Sequence, residues 1–437
     1  MSTKPPPLWD KGKGDADAAI QAFCAGEDVV VDRELFGFDL AATAAHARGL
    51  GRIGVLAREE VVAIERAIAE LGDDFVAGRF VLDARFEDGH SAIESELVRR
   101  IGEAGRRVHA GRSRNDQVQT AIRLYSKHRM RALAASALDA ADAALTRART
   151  DASTPMPGYT HLQRAVPSTV GLWMAAFAEG FAEDAEHMLL VRRWMDRSPL
   201  GTAAGFGVPL PLDRTGVARE LGFAELQLNP MNVQTSRGKY ELAALGAVKS
   251  AMLDVRRLAW DLSLFTTEEW GFVRLPDAFT TGSSIMPNKR NPDVVELLRA
   301  SSSRVLGAEV EIASSLALPS GYHRDLQATK APFVAALESA RRALSLVPRL
   351  LAGMTFDADR MHAAIDAGTH ATDRAIELVK EGVPFRDAYR RVAEELDSLA
   401  GRTAEASIAA RVSPGACADL GLDDLASRIA RTRAELA

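Results

Sequence analysis

Cysteine is nearly missing from this chain, with only Cys24 and Cys417 among 437 residues. The pair sits near opposite ends and makes no CxxC or metal-ligand spacing, so no disulfide framework is expected and a reducing compartment fits. Aromatic residues reach only 6%, and they do not interleave with basic ones as nucleic-acid surfaces require. The formal net charge of -5 gives no pull toward nucleic acid or an anionic membrane. Charge, Pro or Gly interrupts every apolar run before it reaches the ~18 residues of a membrane span. The opening MSTKPPPLWDKGKG lacks the apolar centre of a signal peptide. Its KGKG, residues 11–14, is too brief for a phosphate loop and reads as a flexible tail. These absences leave a cytoplasmic protein acting on a small-molecule substrate, with no nucleic acid and no membrane among its partners.

What is present is mostly helix. Over 239–265, Leu245, Val248, Met252, Val255, Ala259 and Leu262 recur at spacings of three and four, which places them on one stripe of a long helix. Segments 130–150, 171–196, 293–318 and 333–352 are similarly rich in Ala and Leu. Several such helices in series predict an all-α bundle. Strand signals are sparse: 29–31 and 79–81 are short and ambiguous. Composition shifts divide the chain into an N-terminal helical domain (1–110), a central bundle domain (111–354) and a small C-terminal helical domain (355–437).

Gly and Pro gather at 155–167, 198–211, 276–292 and 319–332. Plain punctuation between helices explains most such clusters, but these also carry Ser, Thr, His, Lys, Asn, Tyr and Gln, and loops on a rigid frame are where function usually sits. In TGSSIMPNKRNPD (281–293), Gly282 and the serines permit a backbone nest for an anion, Lys289 adds charge and Asn291 adds donors. Pro292 and Asp293 suit a helix start. A carboxylate-binding loop and a surface turn before a helix are equally open on composition. PGYTHLQRAVP holds His161, the side chain best suited to moving protons near neutral pH, although a lone loop His is more often structural. HAGRSRNDQVQT offers Ser113, Arg114 and Asn115 as carboxylate donors; the bland reading is a solvated basic stretch. In EDGHSAIESEL, Asp88, His90 and Glu94 are weak evidence for a metal; a capped helix start, with His90 beside a ligand, is preferred, and no metal is expected. SGYHRDLQATK brings Tyr322, Arg324 and Gln327 within one helical turn or into a solvated loop. The GFG at 205–207 follows no strand and is no dinucleotide fingerprint; GxSxG and P-loop patterns are absent.

Taken together, these motifs resemble the fumarase/aspartase superfamily. GSSIMPNKRNP is similar to its signature loop. HAGRSRNDQ, PGYTHLQRAVP, EDGHSAIE, SPLGTAAGFGVPLPLDR, YHRDLQ and ATDRAIELVKEGVPFRDAY resemble, in order, motifs of the argininosuccinate lyases, over residues 8 to about 414. The resemblance implies an all-α, three-domain fold with a long central bundle. It implies a homotetramer whose active sites are shared between chains. The implied activity is β-elimination of argininosuccinate to arginine and fumarate, the last step of arginine biosynthesis, without a cofactor. From the residues alone His161 would be the base, because an unassisted Ser is too weak. The family pattern instead gives the base to Ser283, activated by loop N–H groups and Lys289, with His161 as acid or relay paired with Glu296. Lys289, Asn291, Ser113, Asn115 and Thr160 are then expected to hold the succinate part. Arg114, Arg237, Tyr322 and Gln327 supply the remaining contacts.

Two departures stand out. The family's NSxDAVSDRD segment is here NPMNVQTSRGK (229–239), from which Asn229, Met231 and Arg237 carry over. Asp28 replaces the Ser of the family's FxxSIxxD, with Asp32 kept. Both lie where the amino-acid end of the substrate is expected. The alternatives are a superfamily lyase releasing fumarate from another succinyl adduct and an inert, crystallin-like structural protein. Retention of Ser283, His161, Lys289 and Glu296 argues against the inert version.

Overall fold

The computed structural model describes residues 18–396, 399 and 402–436; the tail at 11–14 and the opening segment read as no signal peptide lie outside them. The chain opens with α1 (Ala18–Ala25), α2 (Asp28–Arg52), α3 (Arg58–Val76), α4 (Gly89–Ile101), α5 (Glu103–Arg107) and α6 (Arg114–Thr150). A hairpin of β1 (Pro155–Thr160) and β2 (Gln163–Thr169) leads into α7 (Val170–Trp194). Short elements follow: β3 (Arg197–Ser198), α8 (Arg214–Glu220), β4 (Glu225–Leu226) and α9 (Pro230–Thr235). Next come α10 (Lys239–Phe265), β5 (Val273–Arg274), α11 (Asp293–Ser315), α12 (Lys330–Gly353) and β6 (Thr355–Phe356). Further short helices follow among the described residues, including α13 (Ala358–Ala363) and α14 (Ala371–Lys380). The fold is all-α, as expected. Among the described residues no helix is long and apolar enough to cross a membrane.

The long helices form where the apolar period said they would. α10 spans 239–265, and all six stripe residues, Leu245 to Leu262, are buried to within 1%. α6 runs 37 residues without Gly or Pro, and its buried face is largely alanine, including Ala121, Ala137, Ala141, Ala144 and Ala148. Small side chains let neighbouring backbones approach closely.

The strand readings need correction. Residues 29–31 lie inside α2, and 79–81 are bends and coil. Val29 is buried against the Phe36–Leu40–Leu50 core of the N-terminal helices, so its β-branching served helix packing. The hairpin arises instead within the Pro-rich cluster at 155–167. In a two-stranded sheet both strands are edges, and Pro there removes no obligatory ladder bond.

The described chain groups into two units, each assembled from three stretches. The first takes 1–131, 188–247 and 304–338; the second takes 132–187, 248–303 and 339–437. In the first, Phe36, Leu40 and Leu50 of α2 pack with Ile64, Ile68 and Leu71 of α3 and Ile93 and Leu97 of α4. In the second, an aromatic group of Tyr159, Trp173, Phe265, Trp270 and Phe272 supports the hairpin.

Candidate active site

The first unit holds a cleft of about 250 Å³ lined by Asp28, Glu87, Asp88, Arg114, Asn115, Arg237, Tyr322, Arg324, Gln327 and Lys330, with Cys24, Ala25 and Val118 completing the wall. Six residues expected at a substrate site therefore meet here: Asp28, Arg114, Asn115, Arg237, Tyr322 and Gln327. The start of α4 delivers Asp88. Its carboxylate accepts from Ser91 N at 2.7 Å, and Ser91 Oγ accepts from Asp88 N at 3.1 Å. This is the capped helix start read from the sequence, with Ser as the reciprocal partner. The start of α6 delivers Arg114 and Asn115. There Asp116, with no solvent exposure, accepts from the backbone N–H of Ser113, Gly201 and Ala203, each at 2.9 Å. Burial outweighs these donors and pushes its carboxyl up to about 6.

Among the described residues, charge in the cleft is paired with one exception. Arg114 is bidentate to Glu87 at 2.9 and 3.3 Å and lies 3.1 Å from Asp88. Burial opposes its charge, and these carboxylates more than restore it. Lys330, only 1% exposed, sits between Asp32 at 2.5 Å and Asp28 at 3.0 Å. Burial would strip its proton, yet the two carboxylates hold its pKa above the usual value. Asp32 also accepts from Gly89 N at 2.8 Å. Burial, aided by Asp32, raises the Asp28 carboxyl against the pull of Lys330. Arg237 differs. It is 4% exposed, its guanidinium lies 5.7 Å from the Tyr322 ring centre, and its Nε has no hydrogen-bond partner among the described residues. A buried cation without a carboxylate is a receptor for one.

His90, expected beside a ligand, does not line this cleft. Its ring is 7% exposed and its Nδ1 lies 2.5 Å from Asp39 of α2. Burial would make it less basic, but Asp39, with Asp88 and Asp32, raises its pKa. Gln327 lines the cleft with its amide already engaged, donating to the carbonyls of Cys24 at 3.0 Å and Ala25 at 3.2 Å. Ser113 caps rather than lines: its Oγ accepts from Asn115 N at 3.3 Å. Lys330 and Glu87 were not singled out from the sequence, and Arg324 was noted only as a polar group beside Tyr322 and Gln327. All three stand inside the motifs above, but nothing in a sequence distinguishes a buried ion pair from a solvated one.

The second unit carries the other expected residues. Thr160 and Gln163 pair at the end of the hairpin, and His161 and Leu162 form its two-residue turn at φ 56° and 60°. The His161 ring is exposed. The signature loop is closed at its base by backbone bonds from Thr281 N to Asn291 O at 3.0 Å and from Asn291 N to Thr281 O at 2.7 Å. The Thr281 hydroxyl donates to Asp293, the first residue of α11. Inside the loop, Ser283 Oγ accepts from the N–H groups of Ile285 at 3.3 Å and Met286 at 3.1 Å. Both donors stabilise negative charge on that oxygen. Lys289 and Glu296 are exposed. Among the described residues the side chains of His161, Lys289 and Glu296 show no hydrogen bond or ion pair, so the His161–Glu296 pairing is not formed within one chain.

Comparison with known proteins gives a consistent picture. A family model described as Lyase matches residues 12–307. A protein of Xanthomonas campestris pv. campestris (strain B100) named argininosuccinate lyase is 54% identical over 422 residues, 96% of this chain and 98% of that one. Its namesake in Stenotrophomonas maltophilia (strain R551-3) is 53% identical over the same shares. Among solved structures, an EDDS lyase in complex with formate superposes with a TM-score of 0.80 at 22% identity, covering 97% of this chain and 92% of that one. A class II fumarase from Schistosoma mansoni gives 0.71 at 15%, over 87% and 93%. At those identities the structures speak for the fold alone.

Proposed function

The chain belongs to the argininosuccinate lyase family of the fumarase/aspartase superfamily, and from that premise we propose that it cleaves argininosuccinate to arginine and fumarate, the last step of arginine biosynthesis. The observation that carries the mechanism is the pair of backbone N–H groups on Ser283 Oγ. Serine is a base only as an alkoxide, and an alkoxide needs donors already in place. Ser283 takes the proton from the carbon beside the succinate carboxylate. Lys289 and Asn291, with Ser113, Asn115 and Thr160, bear the charge of the resulting aci-carboxylate. The C–N bond then breaks, and His161, oriented by Glu296, protonates the departing guanidine. Acid–base assistance of this kind gives on the order of 10²–10⁴ in rate. The cleft of Arg114, Arg237, Tyr322 and Gln327 takes the amino-acid end, with Arg237 as its carboxylate receptor.

The working form is proposed to be a homotetramer in the cytoplasm, with each site completed by neighbouring chains. Support comes from large apolar side chains left exposed among the described residues. Leu190 of α7, Leu253 and Trp260 of α10, and Leu297 and Val310 of α11 expose between 41% and 70% of their surface. The decisive assay is the ultraviolet signal of fumarate. Argininosuccinate should give it; a signal with adenylosuccinate alone would overturn the reading. Ser283→Ala should lose turnover while keeping substrate affinity, and near-native turnover would return the base to His161.

A further inference from the structure

The turn at His161 is strained in a way that its own sequence does not relieve. A two-residue hairpin turn with both residues at positive φ normally uses Asn-Gly, because a Cβ resists the left-handed region. Here the residues are His161 at 56° and Leu162 at 60°. Such pairs persist only where the surroundings over-determine them. The hairpin ladder cannot do this alone, since its register shifts between Pro157 and Tyr159. Below that irregularity the tip retains only the pairs Thr160–Gln163 and Tyr159–Arg164.

Both members of the inner pair are held from outside the hairpin. The Tyr159 ring stacks on Trp270 at 4.6 Å and 29°. Trp270 is itself packed by Phe265 at 5.3 Å and Phe272 at 5.7 Å. On the other strand, Arg164 donates to the carbonyl of Ala364 at 3.1 Å and pairs with Asp366 at 3.0 Å. Asp366 in turn caps the single helical turn Ala367–His370, accepting from Thr369 N at 3.1 Å. The Arg164–Asp366 pair is about half exposed on both sides, so it adds little to global stability. Its two directed contacts fix where the second strand runs.

We propose that Tyr159 and Arg164 are positioning residues: a two-sided clamp, seated on Trp270 and on the 364–366 segment, that holds the left-handed turn and thereby aims the His161 ring. This rests on His161 acting as proton donor. The clamp touches neither substrate nor reacting atoms, so its loss shows in turnover rather than in affinity.

The test measures kcat and KM of the full chain with argininosuccinate for Trp270→Leu, Trp270→Phe and Asp366→Asn, each in the native and the Leu162→Gly background, with His161→Asn alongside. Trp270→Leu should lower kcat on the order of ten- to a hundredfold, the scale of a small misplacement, with KM within about threefold. Trp270→Phe keeps a ring for Tyr159 and should retain most of kcat. Asp366→Asn, a surface change that leaves the core alone, should lower kcat less than Trp270→Leu does. In the Leu162→Gly background both losses should shrink, because glycine adopts the left-handed shape unaided. Equal losses in both backgrounds, or a loss confined to KM, would overturn the clamp. Near-native turnover by His161→Asn would sink the proton-donor reading itself, whereas an inactive His161→Asn beside an unaffected Trp270→Leu would sink the clamp alone.

Discussion

His46 and Asp116 are both buried near Arg112 and titrate in opposite senses. His46 is 3% exposed and donates from Nε2 to the Ala110 carbonyl at 2.9 Å. Burial and the Arg112 charge lower its pKa to about 3. The unfolded chain therefore binds a proton at this site that the folded one refuses, and stability falls as pH drops below the ordinary 6.5, by about 1.4 kcal/mol per unit. Asp116, pushed up to about 6, works the other way between that value and its ordinary 3.8, because there the folded state holds the extra proton. The two offset between about pH 6 and 3.8, and outside that window the His46 loss stands alone. The stability difference between native and His46→Gln, whose amide can still donate to Ala110, should fall as the pH is lowered from 6.5, and urea titrations at several pH values would detect this. A pH-independent difference would show that His46 charges in the folded state. Arg237 gives a second prediction. Its guanidinium is buried without a carboxylate, so Arg237→Met should raise the melting temperature of the ligand-free protein while raising KM about tenfold or more. A lowered melting temperature would mean that the stack on Tyr322 matters more than the unpaired charge.

At the scale of elements, α5 lies so close to α4 that Gly105 is a steric requirement. A Cβ there would come within 2.5–2.6 Å of the backbone of Leu97 and Val98. Its φ is ordinary, so the constraint is contact alone. Gly105→Ala should cost about 1–3 kcal/mol through overpacking, read as a lower urea midpoint; an unchanged midpoint would mean the short helix shifts freely. Nothing in EAGRR signals that approach, whereas α10 was legible because six apolar positions, Leu245 to Leu262, obeyed one period within its 27 residues. The hairpin was not legible. Pro155, Pro157 and Pro167 argue against strands, His161 and Leu162 are the wrong residues for its turn, and the contacts that hold it come from Trp270 and Asp366, over a hundred positions away. Site residues were legible as motifs; Lys330 was not, because its meaning depends on Asp28 and Asp32 standing around it.

For the molecule as a whole, the exposed apolar positions set the final prediction. Leu253, on α10, is 41% exposed, and a charge there should break the proposed assembly. Leu253→Glu should lower the oligomeric state in analytical ultracentrifugation and the specific activity in parallel, while circular dichroism keeps its helical signal. A monodisperse, fully active Leu253→Glu tetramer would remove that face from the interface. Composition and helical period were enough for the all-α class, and motif order for the family. Neither carried the division into units, because that depends on which distant stretches meet. The first unit needs 304–338 to join a core begun before residue 131, and the second draws on residues through 437. That interleaving has a consequence for biogenesis. A ribosome making this chain can release the helices of 28–107 into a local core early, but no later unit can close until the far stretch has been synthesised. The long apolar faces of α6, α7 and α10 must wait in the open, so yield in the cell is set by how well they are shielded during that interval. Slower, cooler expression should recover more soluble enzyme than any increase in transcript.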